Sequence, residues 1–249
     1  MQPWTLTHLK IQMPVFALMA LAAWLLRHAL RGKRECYRLL PVQVVSLLVL
    51  LLEIVKQYMS LRVGYDLLHL PLHYCAVITF LLPVAAFCRG RYAAPLRGVI
   101  ATLCAGLFAL LLLAPDYIYS DIALREYTQN FFSFHTVTYH WLAAFAFMLI
   151  FALDLHEPRP RRDLKTGLTV MLIYCVVAAT AANLLKTNFH NFYYCLFPPA
   201  EALRLAFRQG LGDFGGQALY AALFTLVNLA ALTLAYLLYY LLCRLKRRK

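Results

Sequence analysis

The chain has 249 residues, 63% of them hydrophobic and only 14% charged, with a formal net charge of +13. A soluble domain of this length carries far more polar surface, so the composition excludes an ordinary soluble enzyme and points to a polytopic membrane protein. The basic excess does not call for a nucleic-acid partner, because loops facing anionic lipid headgroups account for it.

Crossing a hydrocarbon core of about 30 Å takes roughly 20 apolar residues, and seven stretches meet that requirement. The first, 13–30, is followed rather than preceded by its stronger positive charge, the reverse of a signal peptide. The second, 39–59, carries Glu53 and Lys56 at i, i+3. The third, 68–88, carries Leu70, Pro71, Leu72, His73, Tyr74 and Cys75 near its start, and the fourth, 96–115, is mostly apolar beyond Arg97 and leads to Ala114, Pro115 and Asp116. The fifth, 131–153, has Asn130 at its mouth and then His135 and His140, and the sixth, 166–185, ends in Thr180 and Asn183. The connection 186–216 holds Asn188 and His190 and is rich in Tyr, Phe, Pro and Gly, which suits an aromatic loop in the membrane interface. The seventh stretch is 217–243. The expectation is an all-α bundle of about seven transmembrane helices forming a single membrane-embedded domain over 1–249.

Arg31, Lys33, Arg34 and Arg38 join spans one and two, Arg89, Arg91 and Arg97 join three and four, and Arg159, Arg161, Arg162 and Lys165 join five and six. Arg244, Lys246, Arg247, Arg248 and Lys249 end the chain on that same side. The positive-inside rule then places the C-terminus in the cytoplasm and the N-terminus outside, in a cell membrane. The cysteines are scattered without a CxxC pair, so neither a disulfide framework nor a zinc ribbon is indicated.

With this topology four non-adjacent segments bring their unusual polar residues to the outer half of the bilayer. Glu53 lies in the outer half of span two; His69, His73 and Cys75 begin span three; His135 and His140 lie in the outer half of span five; Asn183 lies at the end of span six and Asn188 just beyond it. Each has a plainer reading. Cys88, Cys104 and Cys175 suit small packing residues, His8, His28 and His156 suit headgroup contacts, and Asn183 suits a hydrogen bond between helices. The coincidence of Cys75, His73, His135 and Glu53 at one level favours a site, since polar groups within a membrane span are costly.

Two chemistries fit this layer. A Cys–His pair supports nucleophilic acyl transfer, in which an imidazole takes the thiol proton and the thiolate attacks an ester. Alternatively, His69 and His73 at i, i+4 spacing, with His135, His140 or Glu53, would suit a metal. Pro71 lies between that pair and spoils the regular helix that the spacing requires, so no metal and no cofactor is expected. In the first scheme the proline has a use, because it frees backbone groups beside Cys75.

The stretches LPLHYC (70–75), NFFSFH (130–135) and the segment beginning NLLKTNFHNFYY (from 183), with Ala114, Pro115 and Asp116, resemble the YwaF family of integral membrane proteins, whose eukaryotic members are of the transmembrane protein 164 type. The resemblance runs over nearly the whole chain. It implies a phospholipid acyltransferase activity, with distant kinship to multi-pass fatty-acid-ester hydrolases that use Thr and His. Carried over by motif, Cys75 is the nucleophile and His135 the base. The polar layer itself adds His73, Glu53, His140, Asn183 and Asn188 as substrate-binding or supporting residues, with membrane phospholipids or acyl esters as the expected partners. Water or a lipid hydroxyl as acceptor would distinguish a hydrolase from an acyltransferase. The rival from another class is a transporter or binding protein for a small molecule or ion that uses the same polar layer, although no internal repeat of the kind common in transporters is visible.

Overall fold

The computed structural model describes residues 4–248, so Lys249 of the C-terminal basic cluster lies outside the described residues. Among the described residues there are eight α-helices: α1 (Leu6–Ala29), α2 (Glu35–Val63), α3 (Tyr74–Phe87), α4 (Ala93–Leu113), α5 (Asp121–Arg125), α6 (Phe131–Ala152), α7 (Pro160–Leu185) and α8 (Pro198–Arg247). Among the described residues there is no strand, and seven helical segments are long and apolar enough to cross a membrane. The all-α multi-span architecture expected from composition is therefore the observed one.

Local sequence sets several of the helix ends. Thr5 caps α1 by accepting from the His8 N–H, Ser120 caps the short α5, and Asn130 caps α6 through the N–H groups of Phe132 and Ser133. Pro160 opens α7, where a missing N–H costs no helical bond. Lys186 ends it in the left-handed conformation with φ 51°.

The core is built on α4 and α6. Of each one's most apolar window 61% is buried inside the protein, against 17% for α1 and α8, which present broad apolar faces outward. Small residues permit close approach at the centre: Ala101 and Ala105 on α4, and Ala143, Ala144 and Ala146 on α6, are all buried. Two of the histidines read as headgroup contacts are instead buried. His8 hydrogen-bonds Thr5 and the Tyr119 carbonyl. His156 lies 3.1 Å from Asp163 and 3.0 Å from the Tyr239 hydroxyl, tying the entry of α7 to α8. Polar groups this deep persist because each is partnered. Only His28 is exposed, as read.

The aromatic loop expected over 186–216 is largely helix. α8 begins at Pro198, and its first arm meets the membrane-crossing arm at Gly212, whose φ of 74° and ψ of 167° break the helix. Arg204 seals this corner with bonds to Glu201 and Gln217. At Gly216 the second arm crosses the first so closely that a Cβ would lie 2.4 Å from the backbone of Phe207 and Arg208. Gly and Pro marked this stretch as a break, and the Pro in fact occupies the first turn, where proline is tolerated.

Since backbone cannot yield there as a side chain could, Gly216→Ala is expected to destabilise by at least the roughly 1–3 kcal/mol of an overpacked core. Thermal unfolding in detergent, compared with Gly210→Ala, where nothing lies within 4 Å of the added Cβ, checks this. Equal melting of the two variants would refute the crossing.

Candidate active site

The site starts from a failure of helix. Pro71 has no N–H to donate, and the chain from 67 runs through a 3-10 turn (Leu67–His69) and an irregular stretch before α3 begins at Tyr74. Irregular backbone at membrane depth is tolerated only when its polar groups find partners within the protein. Here neighbouring helices supply them. Gln57 on α2 donates to the His69 carbonyl at 2.7 Å, Tyr174 on α7 donates to the Leu72 carbonyl at 3.1 Å, and the Tyr139 hydroxyl on α6 donates to the Cys75 carbonyl. Three helices thus clamp the LPLHYC segment, and Cys75 emerges as the second residue of α3.

That position matters chemically. The first N–H groups of a helix have no intrahelical acceptor, and the positive end of its dipole lies there. His73, the N-cap, makes no side-chain cap bond to them.

The imidazole against the thiol belongs to His140. Its Nε2 is 3.1 Å from Cys75 Sγ, while its Nδ1 is 2.6 Å from the Thr136 carbonyl of the preceding turn. A carbonyl can only accept, so Nδ1 carries the proton and Nε2 presents its lone pair to the thiol. The backbone of α6 therefore fixes the tautomer that a general base needs.

His135 is one and a half turns away on the same helix and faces a different partner. Its Nε2 is buried with no hydrogen bond and lies 3.6 Å from Glu53 Oε2. Glu53 is itself held by Lys56 Nζ at 2.8 Å and by Gln57 at 2.7 Å. The base expected by motif is thus not the group touching Cys75; His140 is.

Both pairs open on one cavity of about 620 Å³, lined also by Pro71, His73, Tyr139 and His190, with Leu107, Leu110, Ile118 and Phe132 forming an apolar wall. Of the residues singled out from sequence, Cys75, His73, Glu53, His135 and His140 meet here. Asn183 does not, since its amide bonds the Ala179 carbonyl of its own helix. Asn188 is also spent locally, accepting from the N–H groups of Tyr193 and Tyr194 to shape the loop before α8. The i, i+4 helical pairing of His69 and His73 is absent because the intervening chain is not helix, and His69 is bonded to Ser60 at 2.5 Å. Among the described residues no three His, Cys, Asp or Glu side chains are arranged to hold a metal ion.

A family model described as the TMEM164 family matches residues 3–239, nearly the entire chain. The chain belongs to the TMEM164 family. Neither a curated protein nor a solved structure matched it. Within this member of the TMEM164 family, the LPLHYC and NFFSFH segments that carried the sequence resemblance are the two that bring Cys75 and His135 to the cavity. His140, five residues beyond the second motif, gave only the signal of a second histidine in an apolar helix. Thr136, Tyr139 and Tyr174 gave less, because they act through a carbonyl or on backbone.

His190 closes one side of the cavity from the α7–α8 loop. It donates from Nε2 to Asn228 Oδ1 at 2.7 Å and stacks on Tyr74. Burial pushes its imidazole below the ordinary value, with the Asn228 bond opposing in part. The sign follows from linkage. The unfolded ring takes a proton below about pH 6.5, the folded one only at lower pH, so this loop is fully stable above that value and weakens as pH falls through it. His190→Asn, which tolerates the left-handed backbone here (φ 49°), is expected to flatten the acid side of the melting-temperature profile. An unchanged profile would remove His190 as its source.

Proposed function

We propose that this protein is a membrane-embedded lipid acyltransferase or acyl hydrolase that works through Cys75 and His140. The observation that carries the reading is the Cys75 Sγ to His140 Nε2 contact of 3.1 Å, with the His140 tautomer set by Thr136. A half-buried thiol facing an unprotonated imidazole nitrogen is the arrangement that nucleophilic catalysis requires.

In the first half-reaction His140 Nε2 takes the thiol proton as sulfur bonds to the ester carbonyl carbon. The oxyanion that develops lies at the start of α3, where the Tyr74 and Cys75 N–H groups are free to donate. Collapse breaks the ester C–O bond, the leaving alcohol takes the proton back from His140, and the acyl group stays on Cys75 as a thioester. In the second half-reaction a hydroxyl attacks that thioester, a histidine accepts its proton, and the thiol is restored. A lipid hydroxyl gives transfer and water gives hydrolysis. The His135–Glu53 pair supplies a second base in the same cavity, with an open nitrogen for the acceptor, which keeps a catalytic place for His135. The apolar wall from Leu107 to Phe132 suits the acyl chain.

Resemblance adds the finer setting: kinship with YwaF proteins and with Thr/His ester hydrolases, membrane phospholipids as partners, and the plasma membrane as location. The charge pattern adds orientation. All the elements that carry the cavity reach it at the end of the bundle opposite the C-terminus, so the positive-inside rule opens it to the outer leaflet.

Incubation with a phospholipid bearing an alkyne-tagged acyl chain, followed by mass spectrometry of the intact protein, is expected to show one acyl adduct on Cys75 that hydroxylamine removes. Cys75→Ala should abolish it, His140→Ala should slow its formation by roughly 10²- to 10⁴-fold, and His135→Ala should slow its discharge more than its formation. An adduct that persists in Cys75→Ala, or no adduct and no change in acyl composition with wild type, would overturn the reading.

A further inference from the structure

The opposite end of the bundle holds a second cavity, of about 430 Å³, that shares no residue with the first. Arg27 in the last turn of α1, Arg31 in the following turn and Arg38 in α2 converge on it, with His28 beside them and Asp154 at the end of α6. The carboxylate is already satisfied. Lys246 from α8 sits 2.5 Å from Asp154 Oδ1, and Arg27 approaches no closer than 3.9 Å. One carboxylate set against three guanidinium groups and the Lys246 ammonium leaves the pocket with a net positive charge.

Arg38 belongs both to the site and to the fold. Its Nη1 donates to the Leu153 carbonyl at 3.1 Å. A guanidinium fork is complementary to phosphate oxygens, which supply the charge that balances the cluster. Trp24 stands next to the site, its ring 4.3 Å from that of His28 and half exposed, as an aromatic at a membrane interface would be. Pockets of this kind between helices, lined by arginine at headgroup level, suit an anionic headgroup.

We propose that this pocket binds a phosphate-bearing anion, supplied by the headgroup of an anionic phospholipid or by free phosphate. The site is independent of the acyl chemistry at Cys75. Arg31 contributes charge and no structural bond, since its side chain makes no hydrogen bond among the described residues, and Arg38 contributes both charge and a hold on α6.

The full chain in neutral detergent is titrated by microscale thermophoresis with dioctanoyl phosphatidylglycerol, dioctanoyl phosphatidylcholine and inorganic phosphate. Phosphatidylglycerol should bind more tightly than phosphatidylcholine, and Arg31→Gln and Arg38→Gln should each weaken it about tenfold or more, as expected on losing a charged hydrogen bond. Arg161→Gln, which removes an exposed charge from the same side of the protein, should leave it unchanged. If inorganic phosphate binds alone with the same dependence on Arg31 and Arg38, the anion site stands and its source is soluble; if only the lipid binds, the source is the membrane. Arg31→Gln keeps the test valid should Arg38→Gln fold poorly. Equal binding of the two lipids, undiminished binding in Arg31→Gln, or an equal loss in Arg161→Gln would overturn the proposal.

Discussion

The requirement that no backbone polar group go unsatisfied in hydrocarbon governs the architecture around Cys75. Pro71 removes a donor and keeps the chain before α3 from being regular helix, and the carbonyls of that irregular stretch cannot turn to water. Gln57 and Tyr174 answer the His69 and Leu72 carbonyls from α2 and α7, and Tyr139 on α6 holds the Cys75 carbonyl in the first turn of α3. The same three tethers that rescue the backbone also fix where α3 begins, and hence where its exposed N–H groups and the Cys75 sulfur stand relative to His140. Stability and site geometry here have one cause.

A second layer of constraint lies in α6. It is a core helix, packed through small residues against α4, yet it carries two imidazoles that the bilayer could not tolerate unpartnered. His140 is anchored by its own helix backbone at Thr136, and His135 faces Glu53, which α2 holds through Lys56 and Gln57. One helix thus presents two differently partnered imidazoles to a single cavity, and the polar cluster of α2 serves as the counterweight.

Much of this was legible in the chain. Hydropathy located every span, because the length of apolar run needed to cross a bilayer is a hard physical limit; only the ends moved, by several residues, where amphipathic turns extend past the apolar core. The convergence of Glu53, His73, Cys75, His135 and His140 was also legible, since alternating span direction assigns each residue to one end of the bundle. What could not be read was which neighbour a side chain prefers. His135 and His140 differ in direction around their helix, and only the packing of α3 against α6 decides which meets the thiol. Asn183 and Asn188 lie outside the cavity lining for a related reason: short amides readily bond nearby backbone, and both do so. The helix from Pro198 was hidden by its Gly and Pro content, which marked a bend without saying that helix continues on both sides of it.

The cavity beside Cys75 encloses about 620 Å³, within the roughly 300–1,000 Å³ of pockets that enclose drug-sized ligands. A phospholipid with two long chains exceeds that size, so only the reacting segment can sit inside while the remainder stays among neighbouring lipids. The bilayer then forms part of the binding surface. The rate of the acyl chemistry proposed above would follow the mole fraction of lipid substrate in the membrane rather than its bulk concentration, and inert lipid would act as a diluent in two dimensions.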